Sequence, residues 1–249
     1  MPEAGLKSVQ FDEATARHDL AALYRLAHHY GWTDLTSTHI SARLPQDPGH
    51  YLFNSHDVLF DEICASGLVR MSFDGESDQP DRLINEAGHI IHSSVLLARP
   101  EINYVIHSHT RAGIAVSTMP QGLMPLSQHA GFVLGTLATH PYQDSTAVAN
   151  EGELLARDLG DRYTMLLQNH GLLAVGRTAG EAFYYHYMLE MACKIQVDAL
   201  AGGAAPIEIE PDALQALLDW GSPSRGIQGE AQWQAALRLL ERTQADYRD

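Results

Sequence analysis

The segment Tyr104–Thr110, with the sequence YVIHSHT, combines strand-forming residues with two histidines two positions apart. Alternate side chains of a β-strand point to the same face and lie about 7 Å apart along the strand. His107 and His109 therefore project together, and two such imidazoles can bind one metal ion through bonds of about 2.0–2.1 Å. Taken alone, this short motif also fits two half-buried histidines that hydrogen-bond to the backbone, so the interpretation depends on a third residue.

That third residue is His170, which stands between two apolar segments in the sequence TMLLQNHGLLAVG. The pattern predicts two strands that meet at His170 and Gly171, because glycine lets the chain turn directly after the histidine. An imidazole buried there without a partner would cost about 1–3 kcal/mol. Three histidines from two strands, with a fourth coordination position left open, are typical of a catalytic metal site.

Helix signals surround these strands. The sequence DEATARHDLAALYRLAHHYG predicts a helix with Asp12 as its N-cap and Gly31 at its end. Asn85 is the predicted N-cap of a second helix, and Thr178 begins a long helix with a capping box. A short helix after the histidine strand and two helices in the tail are also predicted. Because the extended segments HISARL, YLFN and LVRMSF are joined by turn residues, we expect a mixed sheet covered by helices.

Length and charge exclude several classes of protein. The 249 residues suit one large domain, or one domain with a tail, and no apolar run reaches the roughly 18 residues that a membrane span needs. A formal charge of −15 repels phosphate backbones, so nucleic acid is not an expected partner. The N-terminus shows no signal-peptide pattern, and the two cysteines lie far apart in the sequence. We therefore expect a protein of the reducing cytoplasm.

Two segments resemble the class II aldolase/adducin family: NEAGHIIHSSVLLARPEINYVIHSHT and LLQNHGLLAVGRTAGEAFYYHYMLEMACKIQVDAL. The resemblance covers roughly residues 12 to 205. It implies a three-layer α/β/α sandwich with a central mixed, largely antiparallel sheet, followed by a helical extension over 206–249 that packs on the domain or on a neighbouring subunit. It also implies that His107, His109 and His170 bind a divalent metal, most often Zn²⁺ with Mn²⁺ or Fe²⁺ as alternatives. A homotetramer with sites near subunit boundaries is common in the family.

The sequence departs from the phosphate-using aldolases of this family at the expected general base. Their carboxylate lies nineteen residues before the first metal histidine, and that position here is Gly88. The residues before it are Glu86 and Ala87, where the aldolases have small hydroxyl residues that hold a phosphate. Since a carboxylate would repel a phosphate, we expect an unphosphorylated substrate. Glu86 and His39, which stands where those aldolases typically have asparagine, are the candidates for moving protons.

Several other polar residues are candidates for the substrate pocket. The loop FNSHD resembles a substrate-pocket segment of relatives, although it also fits an ordinary turn. Glutamine occupies the place of a proton-donating tyrosine found in several aldolases, and a histidine follows it. Pro141 keeps the segment THPYQD extended, so one of its side chains can reach this pocket or a neighbouring subunit's. The candidates for substrate binding are Asn54, Ser55, His56, Gln128, His129 and His140, and Tyr142 is a candidate catalytic residue.

These residues predict a metal-dependent lyase that acts on a small hydroxy-keto compound or 2-oxo acid. The metal would stabilise the enolate left by carbon–carbon cleavage. An aldehyde product defines a retro-aldol reaction, which we place slightly ahead of decarboxylation. Two alternatives come from other classes: an adducin-like interaction module without chemistry, although adducin-type heads lack the full histidine set, and an iron-dependent oxygenase or decarboxylase, because three histidines with open positions can also hold iron(II).

Overall fold

A seven-stranded sheet forms the centre of the described part of the chain, which comprises residues 12–143 and 150–249 of the computed structural model. In sheet order the strands are β3 (Val69–Ser72), β2 (His50–Phe53), β1 (His39–Arg43), β4 (Tyr104–Ser108), β7 (Gly171–Gly176), β6 (Thr164–Leu167) and β5 (Leu137–His140). All neighbours are antiparallel except β5 and β6, which are parallel. This arrangement confirms the predicted mixed, largely antiparallel sheet.

Helices cover the sheet and extend to the end of the chain. They are α1 (Glu13–His29), α2 (Glu86–Ala98), α3 (Arg111–Ser117), α4 (Gln128–Leu134), α5 (Glu151–Leu159), α6 (Ala179–Ala201), α7 (Pro211–Gly221) and α8 (Glu230–Thr243). All of these helices except α4 and α5 were predicted from the sequence, and strand β5 was not. Over the described ranges, none of the helices combines the length and the apolar character that crossing a membrane requires.

The predicted caps begin their helices. The Asp12 carboxylate accepts a hydrogen bond from a backbone N–H in the first turn of α1, and the Asn85 side chain does the same for α2. The Thr178 hydroxyl accepts from the Glu181 N–H at 3.2 Å. The Glu181 carboxylate accepts from the backbone N–H of Arg177 rather than that of Thr178, so only half of the predicted capping box forms.

Alternation along two central strands separates the two faces of the sheet. Residues at even positions of β1 and β4 pack in a hydrophobic cluster with α1, α8 and the start of α6: Ile40, Ala42, Tyr104 and Ile106. Val105 packs in the other cluster with α2 and α5. Because side chains alternate, His39, Ser41 and His107 share the face that α2 covers. The polar residues of the site therefore lie between the sheet and α2, in the three-layer α/β/α arrangement that was predicted.

The C-terminal helices pack on the same body. Helix α7 contacts α4, while α8 contacts α1 and α6. Trp233, Leu240 and Tyr247 are buried in the cluster that contains α1 and β1. A Cβ at Gly221 would lie 1.9 Å from the carbonyl oxygen of Phe132, so the two helices meet at backbone distance there. The division into 1–205 and 206–249 stays a prediction, and residues 1–11 lie outside the described part.

Candidate metal centre

Strand pairing brings two of the predicted metal histidines to one end of the sheet. His107 lies in β4 directly opposite His39 of β1. The strand ends at Ser108, and Thr110 caps the next helix, so His109 follows the strand rather than ending it. The His107 and His109 rings nevertheless lie together, with centroids 4.7 Å apart and planes at 79°. The predicted pair therefore converges even though the second residue is outside the strand.

The turn between β6 and β7 brings in His170. Asn169, before the histidine, has the left-handed backbone conformation with φ of +59°. Gly171 serves a different purpose from the predicted turn: a Cβ there would lie 2.2 Å from the Ser108 carbonyl oxygen, so glycine lets β7 lie close against β4. The His170 ring centroid is 4.7 Å from that of His107 and 4.8 Å from that of His109.

The Nε2 atoms of the three rings point at one another. Those of His107 and His109 are 2.9 Å apart, and those of His109 and His170 are also 2.9 Å apart. The Nδ1–H of His107 donates to the Leu172 carbonyl oxygen at 2.9 Å, and the Nδ1–H of His109 donates to the Asp34 carboxylate at 3.1 Å. In their neutral forms, His107 and His109 therefore face each other with Nε2 lone pairs, which cannot hydrogen-bond to each other.

Burial opposes protonation of two of the three rings, those of His107 and His170. Burial, together with the neighbouring histidines, holds the pKa of His107 well below its ordinary value. For His170, burial and the nearby His109 lower the pKa to about 4. Neutral imidazoles with converging lone pairs are the form in which histidine binds metals. His107, His109 and His170 could thus hold a divalent cation, since one ring nitrogen from each lies within 4.8 Å of the other two.

Asp34 was not predicted from the sequence and supports the outer side of His109. Its carboxylate accepts from the ring nitrogen that faces away from the cluster. A carboxylate in this position fixes the ring orientation and raises the basicity of the other nitrogen. The only signal in the sequence was the position of Asp34 in the loop between α1 and His39.

We expect Asp34→Asn to weaken zinc binding by about 10- to 100-fold, because the carboxylate partner of a metal histidine is lost. Competition with a chromophoric chelator would measure the affinity. Asp161→Asn is the matched control, since the side chain of Asp161 is 98% exposed and lies on a different loop. Equal zinc affinity in wild type and Asp34→Asn would show that the carboxylate does not support the ligand.

His39 fills the space left by the missing carboxylate. A Cβ at Gly88 would lie 2.7 Å from His39 Cδ2 and 2.8 Å from its Nε2. The His39 ring is buried, and its centroid is 4.9 Å from that of His107. Burial and the neighbouring histidines hold the pKa of His39 well below its ordinary value. Among the proton-transfer candidates, His39 is therefore the one that the structure brings against a predicted metal ligand.

Glu86 and the FNSHD loop are placed differently. Glu86 is exposed at the start of α2, and its side chain makes no hydrogen bond within 12–143 and 150–249. Asn54 is buried next to the Tyr24 hydroxyl, and Ser55 donates to Asp57. His56 donates to the Thr36 carbonyl oxygen, and its charge contributes to lowering the pKa of His39. Most of this loop is thus engaged in local contacts, and its Phe53 ring lies 5.7 Å from that of His39 between centroids.

The remaining candidates are Tyr142, His140, Gln128 and His129. The ring of Tyr142 is 61% exposed and its centroid is 6.1 Å from that of His170. Both nitrogens of His140 are bonded to carboxylates, Glu151 at 2.7 Å and Asp158 at 2.8 Å, so neither is free for a substrate. Gln128 and His129 begin α4, with no side-chain hydrogen bond inside the described ranges.

The chain is similar to known proteins over most of its length. The family model described as Class II Aldolase and Adducin N-terminal domain matches residues 18–197. A protein from Caulobacter vibrioides, named only provisionally as an aldolase class 2 protein, is 41% identical over all of this chain and 98% of its own length. Alpha-adducin of Mus musculus is 36% identical over 95% of this chain, and the match spans 35% of that longer protein.

Solved structures give the same picture. An aldolase II superfamily protein from Pseudomonas syringae superposes with a TM-score of 0.90 at 40% identity, covering 97% of this chain and 98% of that one. An L-fuculose 1-phosphate aldolase from Glaciozyma antarctica PI12 superposes with a TM-score of 0.82 at 26% identity, covering 95% and 93% of the two chains. Both similarities extend over nearly the whole chain, including the C-terminal helices.

Proposed function

Because this chain belongs to the class II aldolase and adducin family, we propose that it is a divalent-metal-dependent lyase. It cleaves a carbon–carbon bond in a small, unphosphorylated hydroxy-keto compound or 2-oxo acid, with retro-aldol cleavage slightly ahead of decarboxylation. The observation that carries this proposal is the convergence of three Nε2 atoms, two pairs of which are 2.9 Å apart, in a cluster where burial lowers the pKa of His107 and His170. Histidines that serve packing alone would not need converging lone pairs, and three protein ligands instead of four leave a coordination position open for a substrate.

The chemistry of the donor set favours Zn²⁺, although Mn²⁺ and Fe²⁺ also accept imidazole ligands. A divalent ion held by three neutral imidazoles would polarise a carbonyl and stabilise negative charge that develops on its oxygen. His107, His109 and His170 would coordinate the ion. Hydrogen bonds from Nδ1 fix the tautomers of two of these rings, those of His107 and His109. Tyr142, beside His170 and largely exposed, is the candidate for contacting the departing fragment.

His39 is the proton-transfer group that this arrangement favours over Glu86. Its ring lies against His107, whereas Glu86 is exposed on the first turn of α2. The absence of a side chain at Gly88 leaves the volume for that ring. Glu86 and Ala87 in place of small hydroxyl residues support a substrate without phosphate, since a carboxylate repels a phosphate group. The proposed substrate therefore belongs to a different class from L-fuculose 1-phosphate, the compound in the name of the Glaciozyma antarctica enzyme.

A substrate screen tests the proposal. Zinc-loaded protein is incubated without oxygen with hydroxy-keto acids and 2-oxo acids, and products are followed by proton NMR. We expect an aldehyde and a smaller carbonyl compound from at least one hydroxy-keto acid, and no product with His109→Ala protein. Release of carbon dioxide instead would show that the reaction is decarboxylation and not retro-aldol cleavage. Turnover that requires iron(II) and oxygen, and is absent with zinc, would contradict the lyase and favour the oxygenase.

The similarity to alpha-adducin favours one second candidate, an interaction module without chemistry. Metal analysis separates the two functions, because a module that has lost its chemistry has no need to retain an ion. We expect about one equivalent of divalent metal in protein purified without added metal, and less than about a tenth of an equivalent would favour the module. A homotetrameric assembly and a cytoplasmic location stay predictions that accompany the lyase proposal.

A further inference from the structure

A buried line of three polar side chains runs from the metal centre into helix α2. Ser41 Oγ is 2.5 Å from His92 Nδ1, and His92 Nε2 is 2.9 Å from His39 Nδ1. His39 and Ser41 are alternate residues of β1 and so share one face, while His92 projects from the helix that covers this face. All three side chains are buried, with exposures of 3%, 0% and 0% for His39, Ser41 and His92.

The direction of the hydrogen bonds along this line follows from the Ser41 hydroxyl. Its one hydrogen bond in the described part of the chain is the contact with His92 Nδ1. If His92 donated to Ser41, the buried hydroxyl proton would have no acceptor, which is a costly arrangement. The hydroxyl therefore donates to Nδ1, and the single proton of neutral His92 lies on Nε2. That proton is donated to His39 Nδ1, so His39 carries its own proton on Nε2.

Neutrality of both rings is consistent with their surroundings. Burial lowers the pKa of His92 to about 3, with a smaller contribution from His89. The titratable groups in contact with His39 are other histidines: His92 is hydrogen-bonded to its Nδ1, and the His107 ring lies 4.9 Å away between centroids. No carboxylate appears among these neighbours that would favour a doubly protonated ring. Each ring of the line thus has one proton, and its position is set by the bond that the ring receives.

The Nε2–H of His39 faces position 88, where glycine leaves room beside the ring. This atom has no hydrogen-bond partner among residues 12–143 and 150–249, and a Cβ at Gly88 would lie 2.8 Å from it. The ring itself packs against His107 with centroids 4.9 Å apart. A nitrogen that carries a proton has no lone pair for a metal and no capacity to accept a substrate proton, but it can donate to an oxygen.

We propose that His39 is a hydrogen-bond donor to a substrate oxygen beside the three-histidine cluster, and that Ser41 and His92 are positioning residues that hold it in this tautomer. The ligand class is an anionic or strongly polarised oxygen, such as an enolate or a carboxylate, on which a preorganised donor has its greatest effect. The role toward substrate rests on the proposed lyase function, whereas the position of the proton is a property of the protein alone. His39 thus differs from the carboxylate base of the phosphate-using aldolases, which accepts protons: its part in proton transfer is that of the donor.

The tautomer can be measured without any substrate. In zinc-loaded protein labelled with ¹⁵N-histidine, two-bond proton–nitrogen correlation spectra distinguish protonated from unprotonated ring nitrogens, and a His39→Gln variant assigns the His39 signals. We expect Nε2 of His39 to be protonated and Nδ1 to be unprotonated. The proton on Nδ1 would overturn the proposal.

Two variants at Ser41 separate positioning from mere packing. Ser41→Ala removes the hydroxyl that orients His92, so we expect a mixture of His39 tautomers. Ser41→Thr retains a hydroxyl and is expected to keep the wild-type pattern, which makes it the matched control for the loss of donation. An unchanged His39 spectrum in Ser41→Ala would show that Ser41 does not set the tautomer.

Oxalate, a planar dianion, probes the donor itself. Its binding to the zinc-loaded proteins is measured by calorimetry at matched zinc occupancy. We expect about 10- to 100-fold weaker binding with His39→Phe and about 3- to 10-fold weaker binding with Ser41→Ala, because a hydrogen bond to a charged ligand is lost or misaligned. His18→Phe, at an exposed position of α1, is the control.

Equal oxalate affinity in wild type, His39→Phe and Ser41→Ala would overturn the donor role. The lyase function would fail separately. Protein in which His39 carries its proton on Nε2 would then cleave no hydroxy-keto or 2-oxo acid. The two claims are therefore tested by different measurements.

Discussion

Replacement of His109 by alanine is expected to reduce bound zinc from about one equivalent to less than about a tenth, and to abolish lyase activity. His109 is central in the cluster, since its Nε2 lies 2.9 Å from that of each of the other two histidines. Removing it leaves two imidazoles, which bind zinc far more weakly than three. The fold should persist because His109 lies just after β4 and is only partly buried.

Metal content is measured by mass spectrometry after zinc loading and gel filtration, and folding by circular dichroism. His18→Ala is the matched control, because it removes an exposed histidine from helix α1, where alanine is readily accommodated. Full zinc occupancy and full turnover in His109→Ala would refute the assignment of the cluster. Loss of zinc together with loss of the circular dichroism signal would instead indicate a structural role for the histidine.

The second large effect concerns Gly88 and His39, which compete for the same volume. Gly88→Glu alone is expected to destabilise the protein by about 1–3 kcal/mol, because its Cβ would lie 2.7 Å from the His39 ring and the ring is buried. His39→Asn alone leaves a cavity and removes the partner of His92 Nε2. In the double variant the smaller asparagine makes room for the glutamate. We expect its loss of stability to be smaller than the sum of the two single losses by about 1–3 kcal/mol.

Chemical denaturation of the four proteins in the presence of a chelator provides the free energies of unfolding. Gly202→Glu is a suitable control, since a Cβ at Gly202 meets nothing within 4 Å and its φ of −82° is accessible to any residue. Simple additivity of the two changes, or a stable Gly88→Glu single variant, would contradict direct competition between the two side chains. The interpretation of His39 as the occupant of the missing carboxylate's place depends on this coupling.

Local patterns in the sequence were sufficient for most of the scaffold. Asp12, Asn85 and Thr178 cap the helices that they were predicted to cap, because an N-cap depends on a few neighbouring residues. The histidine strand and the paired strands around His170 were also predicted, since each is a short apolar run with clear boundaries. Helices α4 and α5 and strand β5 were missed because their sequences lack equally clear boundary signals.

Apart from the three metal histidines, which the family resemblance grouped, the parts of the site that depend on contacts between distant segments could not be predicted. His92 bonds to His39 across 53 positions of sequence, and Asp34 bonds to His109 across 75. Gly171 was explained by a turn, whereas its role is to let β7 approach the Ser108 carbonyl. His140 was a candidate for substrate binding from its neighbourhood alone, but two carboxylates occupy its nitrogens. In each case the deciding partner comes from another element of the fold.

The most direct measurement of the central claim is anomalous diffraction at the zinc absorption edge, on crystals of the protein loaded with one equivalent of zinc. The account predicts a single strong peak at about 2.0–2.1 Å from Nε2 of each of His107, His109 and His170, with His39 outside bonding distance. Rings whose Nε2 atoms point away from one another, or a zinc peak at another set of residues, would contradict it.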